Sequence, residues 1–263
     1  MSNFYSEFES YSSLQWKEKI EADLKTKKIE DISSNFEGID ISPFYHKDRS
    51  INSSLVSYNP DWEIVQLVIG IDPKEANKKA LQAINSGATA LCICNANNLD
   101  VLFKDILIQH IRIDFKDCDS SIIQELEELV TKRGLNKEEI KGAFHGQSQG
   151  DALPNFYYNS FYNQKESAKE QISDSLEYAI KKPKSQFIFE IESNYFLEIA
   201  KLRAFRKIYF SLYGSQPYIL AVSSSKNKKQ ELGYNNLLKT STESLSAVFG
   251  TCDSLLVLPY NRT

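Results

Sequence analysis

His145 is the side chain of this sequence whose chemistry is most readily used for acid–base work. It lies in Phe144-His145-Gly146-Gln147, directly after a short apolar segment, and an imidazole gains or loses a proton near neutral pH. In a barrel of parallel strands, reacting groups collect at the carboxyl ends of the strands, which is the position predicted for His145. The sequence reveals no partner for this imidazole, so a structural role and an acid–base role both stay open.

Other polar side chains also follow apolar segments. Glu192 precedes a long helical segment, where its charge favours the N-terminal dipole, and Asp72 precedes Pro73 as a helix N-cap does. The sequence contains no nucleotide-binding glycine loop, Walker loop, zinc-protease motif or nucleophile elbow. No residue is therefore assigned as catalytic, cofactor-binding or metal-ligating. The further candidates at predicted strand ends are Asn95, Asp114, Ser223, Ser224, Ser225, Tyr260 and Asn261.

The cysteines do not have the spacing of a metal site. Cys92 and Cys94 are separated by one residue and lie in a strand-like segment, without the paired spacing or neighbouring histidines of a zinc site. Both thiols then point to one face of a strand. Because free cysteine is usually buried, we expect them to pack in the interior.

Composition bounds the class of protein. The chain has 263 residues, 41% hydrophobic and 25% charged, with a formal net charge of −4. This suits one large or two small folded domains, and without a basic face we expect no nucleic-acid partner. No apolar segment approaches the roughly 20 residues of a membrane span, and the first ten residues lack the apolar core of a signal peptide. We therefore expect a cytoplasmic protein without a membrane partner.

Residues 1–60 differ in pattern from the rest. Ser12 and Gln15 have the spacing of a helix capping box, but the remainder of this segment is aromatic, turn-rich and irregular. Such a segment cannot build its own core, so we expect an N-terminal interaction arm that contacts another subunit. Its expected interface anchors are Trp16, Phe44 and Tyr45.

From residue 61 to residue 263, short apolar segments alternate with amphipathic helical segments. Parallel strands need crossover connections, which helices supply, so the alternation predicts an α/β fold of the (β/α)₈ TIM-barrel type. Only seven strand segments are counted, and we expect the barrel to be truncated after the seventh strand, with an eighth strand and helix missing. The predicted strand segments are 66–71, 90–95, 111–115, 141–146, 186–191, 218–223 and 254–260.

Two long segments carry a specific resemblance. They read NYFLEIAKLRAFRKIY from residue 194 and YNNLLKTSTESLSAVFGTCDSLLVLPYN from residue 234. Both are similar to the barrel domain of the methylmalonyl-CoA mutase family, whose catalytic members use adenosylcobalamin and thread their substrate through the barrel. Shorter upstream matches, such as Asp23-Leu24-Lys25 and Pro43-Phe44-Tyr45, resemble the arm that precedes this barrel, so the resemblance covers nearly the whole chain.

Departures from the family pattern concern the residues of catalysis. Leu67 occupies the place of a tyrosine that helps radical formation in catalytic members, and Leu220 that of a histidine which hydrogen-bonds the thioester carbonyl. Val222 and Ser225 stand in place of a glutamine and a glycine of the same motif. The corrinoid-binding motif D-x-H-x-x-G is absent, since none of the three histidines, His46, His110 and His145, has aspartate two positions before it.

The resemblance therefore implies a non-catalytic small subunit that pairs with a catalytic large subunit, in which adenosylcobalamin is expected. Two alternatives stay open: a stand-alone acyl-CoA-binding or catalytic barrel with His145 or Glu192 in its site, and a small subunit of a sister acyl-CoA mutase. Without catalysis the barrel needs no substrate tunnel, so we expect bulky side chains to seal it. One member of each of the following pairs is predicted to point inward: Val68/Ile69, Cys92/Ile93, Phe187/Ile188, Leu220/Ala221 and Leu256/Val257.

Overall fold

The computed structural model describes residues 9–25, 28–46, 48, 61–229 and 233–261. The chain divides into two compact units, residues 1–56 and 57–263. The predicted boundary between the arm and the barrel, at residue 60, lies outside the described residues.

The described part of the first unit contains one α-helix and one small hairpin. Helix α1 spans Ser13–Leu24 and begins with the predicted capping box, in which Ser12 and Gln15 each hydrogen-bond the other's backbone amide. After a 3₁₀ helix at Ile29–Ile32, strands β1 (Ser34–Phe36) and β2 (Ile39–Ile41) pair in antiparallel fashion. Trp16 stacks on Phe44 with 4.3 Å between the ring centroids. No residue of α1 is buried, so the described part of this unit has no core of its own.

The second unit is a closed ring of parallel strands. Neighbours in the ring pair in the order β7-β6-β5-β4-β3-β11-β10-β9-β8, and every pair in this order is parallel. The strands are β3 (Glu63–Ile69), β4 (Ala90–Cys94), β5 (Arg112–Lys116), β6 (Gly142–Phe144), β7 (Phe156–Tyr157), β8 (Ser160–Tyr162), β9 (Gln186–Ile191), β10 (Tyr218–Ser223) and β11 (Ser254–Leu256).

The predicted (β/α)₈ barrel is confirmed, and its strand count needs one correction. β7 pairs with β6 and β8 pairs with β9, so residues 156–162 act as one broken strand between β6 and β9. With this strand included, the ring has eight positions and closes between β11 and β3. The expectation of a missing eighth strand is therefore wrong. The sequence does not indicate this strand, because its paired segments are only two and three residues long and lie beside the polar, turn-rich segment 147–155.

Helices cover the ring from outside. Asp72 caps α2 as predicted, since its Oδ1 accepts hydrogen bonds from the amides of Lys74 and Glu75 while Pro73 holds the first helical position. No helix follows β6 among the described residues; segment 145–155 leads directly into β7. The helices are α2 (Pro73–Asn85), α3 (Leu99–Leu102), α4 (Ser121–Lys132), α5 (Ala168–Lys181), α6 (Tyr195–Tyr213) and α7 (Gly233–Phe249).

Helix α6 has apolar residues around most of its circumference. Leu202, Phe205 and Tyr209 are buried in a cluster with the outward residues of β9 and β10. Phe196 and Leu212 remain 79% and 60% exposed. The helix therefore buries one side on the barrel and presents further apolar side chains to solvent.

Alternate strand residues point into the barrel and fill its centre. An interior apolar cluster joins Val65, Ala90, Cys92, Ile188, Leu220 and Leu256, none more than 5% exposed. The residues next to them along each strand point outward and pack under the helices. The sealed-barrel prediction is thus confirmed for Cys92, Ile188, Leu220 and Leu256. In the pair Val68/Ile69, Val68 packs outward and Ile69 shares the inward face of β3 with Val65 and Leu67. Ile69 lies at the end of the strand and is 47% exposed, so Val65 and Leu67 fill the centre instead.

Among the described residues, no helix combines the length and the apolarity that crossing a membrane requires.

Candidate functional site

A buried polar network crosses the barrel beside the apolar cluster. Arg112 of β5 donates from Nη2 to Oε1 of Gln186 in β9 at 2.7 Å, although these strands are not neighbours in the ring. Only side chains that point into the barrel can make this contact. Arg112 Nε also lies 2.9 Å from Asp114 Oδ1, an ion pair rather than an aligned hydrogen bond, and Gln186 Nε2 donates to Asp114 Oδ2 at 3.0 Å.

Aromatic rings and a second carboxylate complete the surroundings of Arg112. Its guanidinium lies 3.9 Å from the ring centroid of Tyr218 and 5.7 Å from that of Tyr157, and Glu63 is 3.7 Å from Nε. Burial by itself lowers the pKa of Arg112, but the neighbouring Asp114, Tyr218 and Glu63 outweigh it and raise the pKa. The arginine is therefore a fixed buried cation.

Asp114 is held in its ionised form by the same neighbours. Burial by itself raises the pKa of this carboxyl, but the charge of Arg112, followed by the hydrogen bonds from His145 and Gln186, outweighs it and lowers the pKa. An ionised carboxylate only accepts hydrogen bonds. Asp114 is thus a fixed acceptor in the barrel, 1% exposed.

His145 is the partner of Asp114 at the carboxyl ends of the strands. Its Nε2 lies 3.2 Å from Asp114 Oδ2, and its side chain is 10% exposed. Because Asp114 accepts, Nε2 carries the hydrogen and Nδ1 is left with a lone pair when the ring is neutral. A carboxylate that orients an imidazole in this way can support proton transfer or the binding of a hydrogen-bond donor.

A cavity of about 360 Å³ opens beside His145 at the mouth of the barrel. We call it the mouth cavity. Its apolar lining residues are Leu67, Ile188, Val222, Leu256 and Leu258, and its polar side is formed by Lys116, Asp117, His145, Gly146, Ser160, Tyr162 and Ser225.

Glu190 hydrogen-bonds several residues at the rim of the mouth cavity. It accepts hydrogen bonds from Ser224 Oγ at 2.7 Å, from the Ser225 amide at 3.1 Å and from Tyr162 Oη at 2.9 Å, and Lys226 Nζ lies 3.7 Å away. Burial by itself raises the pKa of Glu190, but these partners, Ser224 first, lower it. The carboxylate therefore holds loop 224–226 in place.

The structure brings together some of the sequence candidates and separates others. Asp114, His145 and Ser225 meet at the mouth cavity or directly beneath it. Glu192 lies at the rim, 3.9 Å from Lys226. The remaining candidates contribute to the fold. Asp72 caps α2, and Ser223 Oγ accepts a hydrogen bond from the Leu258 amide. The Asn95 amide donates to the Lys116 carbonyl, and the Tyr260 carbonyl accepts from Asn236. For Asn261 the structure gives no site contact.

Arg112, Gln186 and Glu190 are site residues that sequence reasoning missed. A usable signal existed in β5, where Arg112 and Asp114 alternate with Ile113 and Phe115. Two charged residues on one face of an otherwise buried strand must be paired, which predicts a polar layer inside the barrel. Gln186 carries no such signal, because it is a single polar residue at the start of an apolar strand.

Comparison with known proteins finds one family model and one curated relative that are similar to this chain. A family model described as methylmalonyl-CoA mutase matches residues 181–263, the segment from the end of α5 to β11 and beyond. The methylmalonyl-CoA mutase small subunit of Porphyromonas gingivalis is 28% identical over 337 residues, which cover 98% of this chain and 54% of that protein. The chain is similar to members of the methylmalonyl-CoA mutase family. It spans about half the length of the curated relative it matches.

Solved structures with a similar course of the chain include dihydropteroate synthases. The Yersinia pestis enzyme is 12% identical, with a TM-score of 0.46 over 87% of this chain and 93% of that chain. The Thermus thermophilus enzyme is 10% identical, with a TM-score of 0.44 over 77% of this chain and 90% of that chain.

The residues that depart from the methylmalonyl-CoA mutase pattern lie at the barrel interior. Leu67, Val222 and Ser225 line the mouth cavity, and Leu220 lies in the apolar cluster with no exposed surface.

His145 is the imidazole at the mouth cavity. The one imidazole that lines the cavity is hydrogen-bonded to Asp114 through Nε2. No group of three metal-ligating side chains occurs in the part of the chain that the structure describes.

Proposed function

We propose that this chain is the non-catalytic small subunit of a two-subunit, adenosylcobalamin-dependent methylmalonyl-CoA mutase of the cytoplasm. In this proposal the large subunit interconverts methylmalonyl-CoA and succinyl-CoA. The observation that carries the proposal is the filled barrel axis, with Leu220 fully buried at its centre, in a chain similar to a protein named as a small subunit.

The filled axis leaves no path for a long acyl-CoA tail among the described residues. Opening one requires displacing several aliphatic side chains of the apolar cluster, each of which contributes about 1.5–3 kcal/mol by its burial. Leu67 and Leu220 also lack any polar atom that could stabilise charge on a reacting carbonyl. Both arguments favour a subunit that does not carry out the reaction.

The outward face of α7 supports binding of a partner protein. Four apolar side chains form one stripe along this helix: Tyr234, Leu238, Leu245 and Phe249 are 89%, 67%, 50% and 48% exposed. The 17-residue helix is about 25 Å long at 1.5 Å per residue. An exposed apolar surface of this length is typical of a protein interface.

Both charged residues of α7 are engaged on its barrel side. Lys239 Nζ donates to the Asn227 carbonyl at 2.8 Å, and Glu243, which is 1% exposed, accepts from Lys228 Nζ at 2.6 Å. The stripe is therefore uncharged, and depletion of charge is a mark of interface cores.

Co-expression with a large subunit tests the proposal. We expect the two chains to co-purify in equal amounts, and the double variant Leu238→Glu/Leu245→Glu to weaken the association at least tenfold, since it buries two charges. Ile180→Glu is the matched control, because Ile180 lies on α5 rather than on the α7 stripe and is similarly exposed, at 71%. Failure of the wild-type chain to associate contradicts the proposal.

The chain by itself provides a second test. Calorimetric titration with adenosylcobalamin or with methylmalonyl-CoA should give no binding heat. Micromolar binding of either ligand, about −8 kcal/mol, contradicts a non-catalytic role.

The His145–Asp114 pair is the observation that favours a second candidate function, a stand-alone acyl-CoA-binding barrel. An oriented imidazole at the strand ends is the arrangement expected of a barrel enzyme. Micromolar binding of an acyl-CoA in the calorimetric titration supports the stand-alone acyl-CoA-binding barrel. If instead the partner that co-purifies is a large subunit acting on another acyl-CoA, the chain is the small subunit of a sister mutase.

A further inference from the structure

His145 offers an unused hydrogen-bond acceptor to the mouth cavity. Within the described residues its ring hydrogen-bonds through Nε2 alone, to Asp114. Asp114 is fixed by Arg112 at 2.9 Å and by Gln186 at 3.0 Å, so the imidazole cannot turn over without leaving a buried carboxylate short of a donor. The neutral ring therefore keeps Nδ1, with its lone pair, free to accept.

Ser160 offers the complementary donor in the same cavity. Its side chain lines the mouth cavity, and its Oγ is buried without a hydrogen-bond partner in the described structure. The Ser160 amide donates to the Gly146 carbonyl at 2.9 Å, which places this serine beside the residue that follows His145. A buried hydroxyl without a partner costs roughly 1–3 kcal/mol unless a bound molecule satisfies it.

The floor of the cavity is apolar, and the charges at its rim offset each other. Five aliphatic side chains form its floor, and the apolar cluster around Leu220 closes the barrel beneath them. At the rim, Lys116 and Asp117 lie 4.0 Å apart and offset each other, while Glu190 is compensated by Lys226 and three hydrogen bonds. A neutral ligand is favoured over an ion, and the volume of about 360 Å³ is at the small end of ligand sites.

We propose that the mouth cavity binds a short, neutral aliphatic alcohol, whose hydroxyl donates to His145 Nδ1 and accepts from Ser160 Oγ while its alkyl part lies on the aliphatic floor. A hydroxyl is the smallest group that serves a lone acceptor and a lone donor together. The proposal concerns binding only. It does not depend on the proposed subunit role, because it rests on this chain's own residues.

Isopentyl alcohol, its methyl ether and isopentanoate are suitable probes, titrated into the full chain and followed by the NMR signals of the His145 ring. The ether oxygen accepts from Ser160 but cannot donate to His145. We expect the alcohol to bind about five- to tenfold more tightly than the ether, the effect of one net hydrogen bond, and the carboxylate to bind more weakly than the alcohol at neutral pH.

Two variants separate the roles of the polar groups. His145→Phe keeps a ring of similar size and should make the alcohol and the ether bind equally. Ser160→Ala should weaken both several-fold and leave their ratio unchanged. Glu192→Gln, at the rim outside the cavity lining, is the control and should bind like the wild type.

A third variant tests the proposal even if His145→Phe or Ser160→Ala does not fold. Val222→Trp fills the cavity and should abolish binding of every probe while its thermal unfolding stays cooperative. The proposal is overturned if the alcohol does not bind saturably in the millimolar range, if the ether or the carboxylate binds as tightly as the alcohol, or if Val222→Trp binds it normally.

Discussion

Arg112 and Asp114, two residues apart on β5, form an ion pair of 2.9 Å inside the barrel, where they are 3% and 1% exposed. Both charges are compensated only by one another and by groups from other strands. The stability of the barrel therefore depends on keeping both charges or removing both.

Replacing one partner should be strongly destabilising. Asp114→Asn removes the nearer carboxylate partner of Arg112 and leaves Glu63, at 3.7 Å, as its remaining carboxylate within ion-pair distance in the described structure. This variant should lower the free energy of unfolding by about 3 kcal/mol, measured by guanidinium denaturation. Asp117→Asn is the matched control, since its carboxylate is 63% exposed, and should change stability by less than about 0.5 kcal/mol. A loss for Asp114→Asn as small as that of the control contradicts the assigned pairing.

Replacing both Arg112 and Asp114 should restore much of the stability that the single replacement loses. Arg112→Met combined with Asp114→Leu removes both buried charges, and exchanging a buried ion pair for apolar residues is often neutral. We expect this double variant to unfold at a higher guanidinium concentration than Asp114→Asn. If it is less stable than that single variant, the network contributes more than the pair itself.

The lowered pKa of Asp114 predicts how its contribution varies with pH. The folded-state pKa lies below the ordinary value of 3.8, so the stabilisation is complete at pH values above that value and is lost as pH falls through the folded-state pKa. The stability difference between wild type and Asp114→Asn should thus be constant near neutral pH and shrink below about pH 4. Urea unfolding of both proteins across this pH range measures the stability difference. A difference that grows as the pH falls contradicts the lowered pKa of Asp114.

The thiols should differ in reactivity. Burial, followed by the charge of Asp253, raises the pKa of Cys252 to about 12, and the residue is 1% exposed, whereas Cys118 is only half-buried. At pH 8, iodoacetamide should modify Cys118 first and Cys252 only after unfolding, as mass spectrometry of timed samples can determine. Equal rates for both thiols in the native protein contradict this burial.

The sealed axis predicts a large cavity penalty. Leu220 is fully buried among inward side chains of several strands, so Leu220→Ala should cost about 2–5 kcal/mol of unfolding free energy. Leu238→Ala, on the exposed face of α7, should cost far less. Similar losses for both leucines in chemical denaturation argue against a packed barrel interior.

Deleting residues 1–60 should abolish association with the proposed large subunit, because an aromatic segment whose described part has no core of its own is suited to an interface. The circular dichroism of the remaining barrel should keep its helical signal. Retention of full affinity for the large subunit, measured by the co-purification described above, contradicts the role of the arm.

The sequence by itself determined the helix starts, the alternation of strands and helices, and the leucines in place of family polar residues. Asp72-Pro73 and the Ser12–Gln15 capping box are local signals, which act over a few residues and can be read directly. The buried thiol pair on β4 follows equally from the alternation of side chains along a strand.

The tertiary structure alone decided ring closure and the polar network. Residues 156–162 became a strand only because β6 and β9 offer unpaired edges on both sides of them. The contacts of Arg112 with Gln186 and of Asp114 with His145 join residues 74 and 31 positions apart. Such pairs depend on which strands face each other across a closed ring. The periodicity of a local segment carries no information about which distant segment it will face.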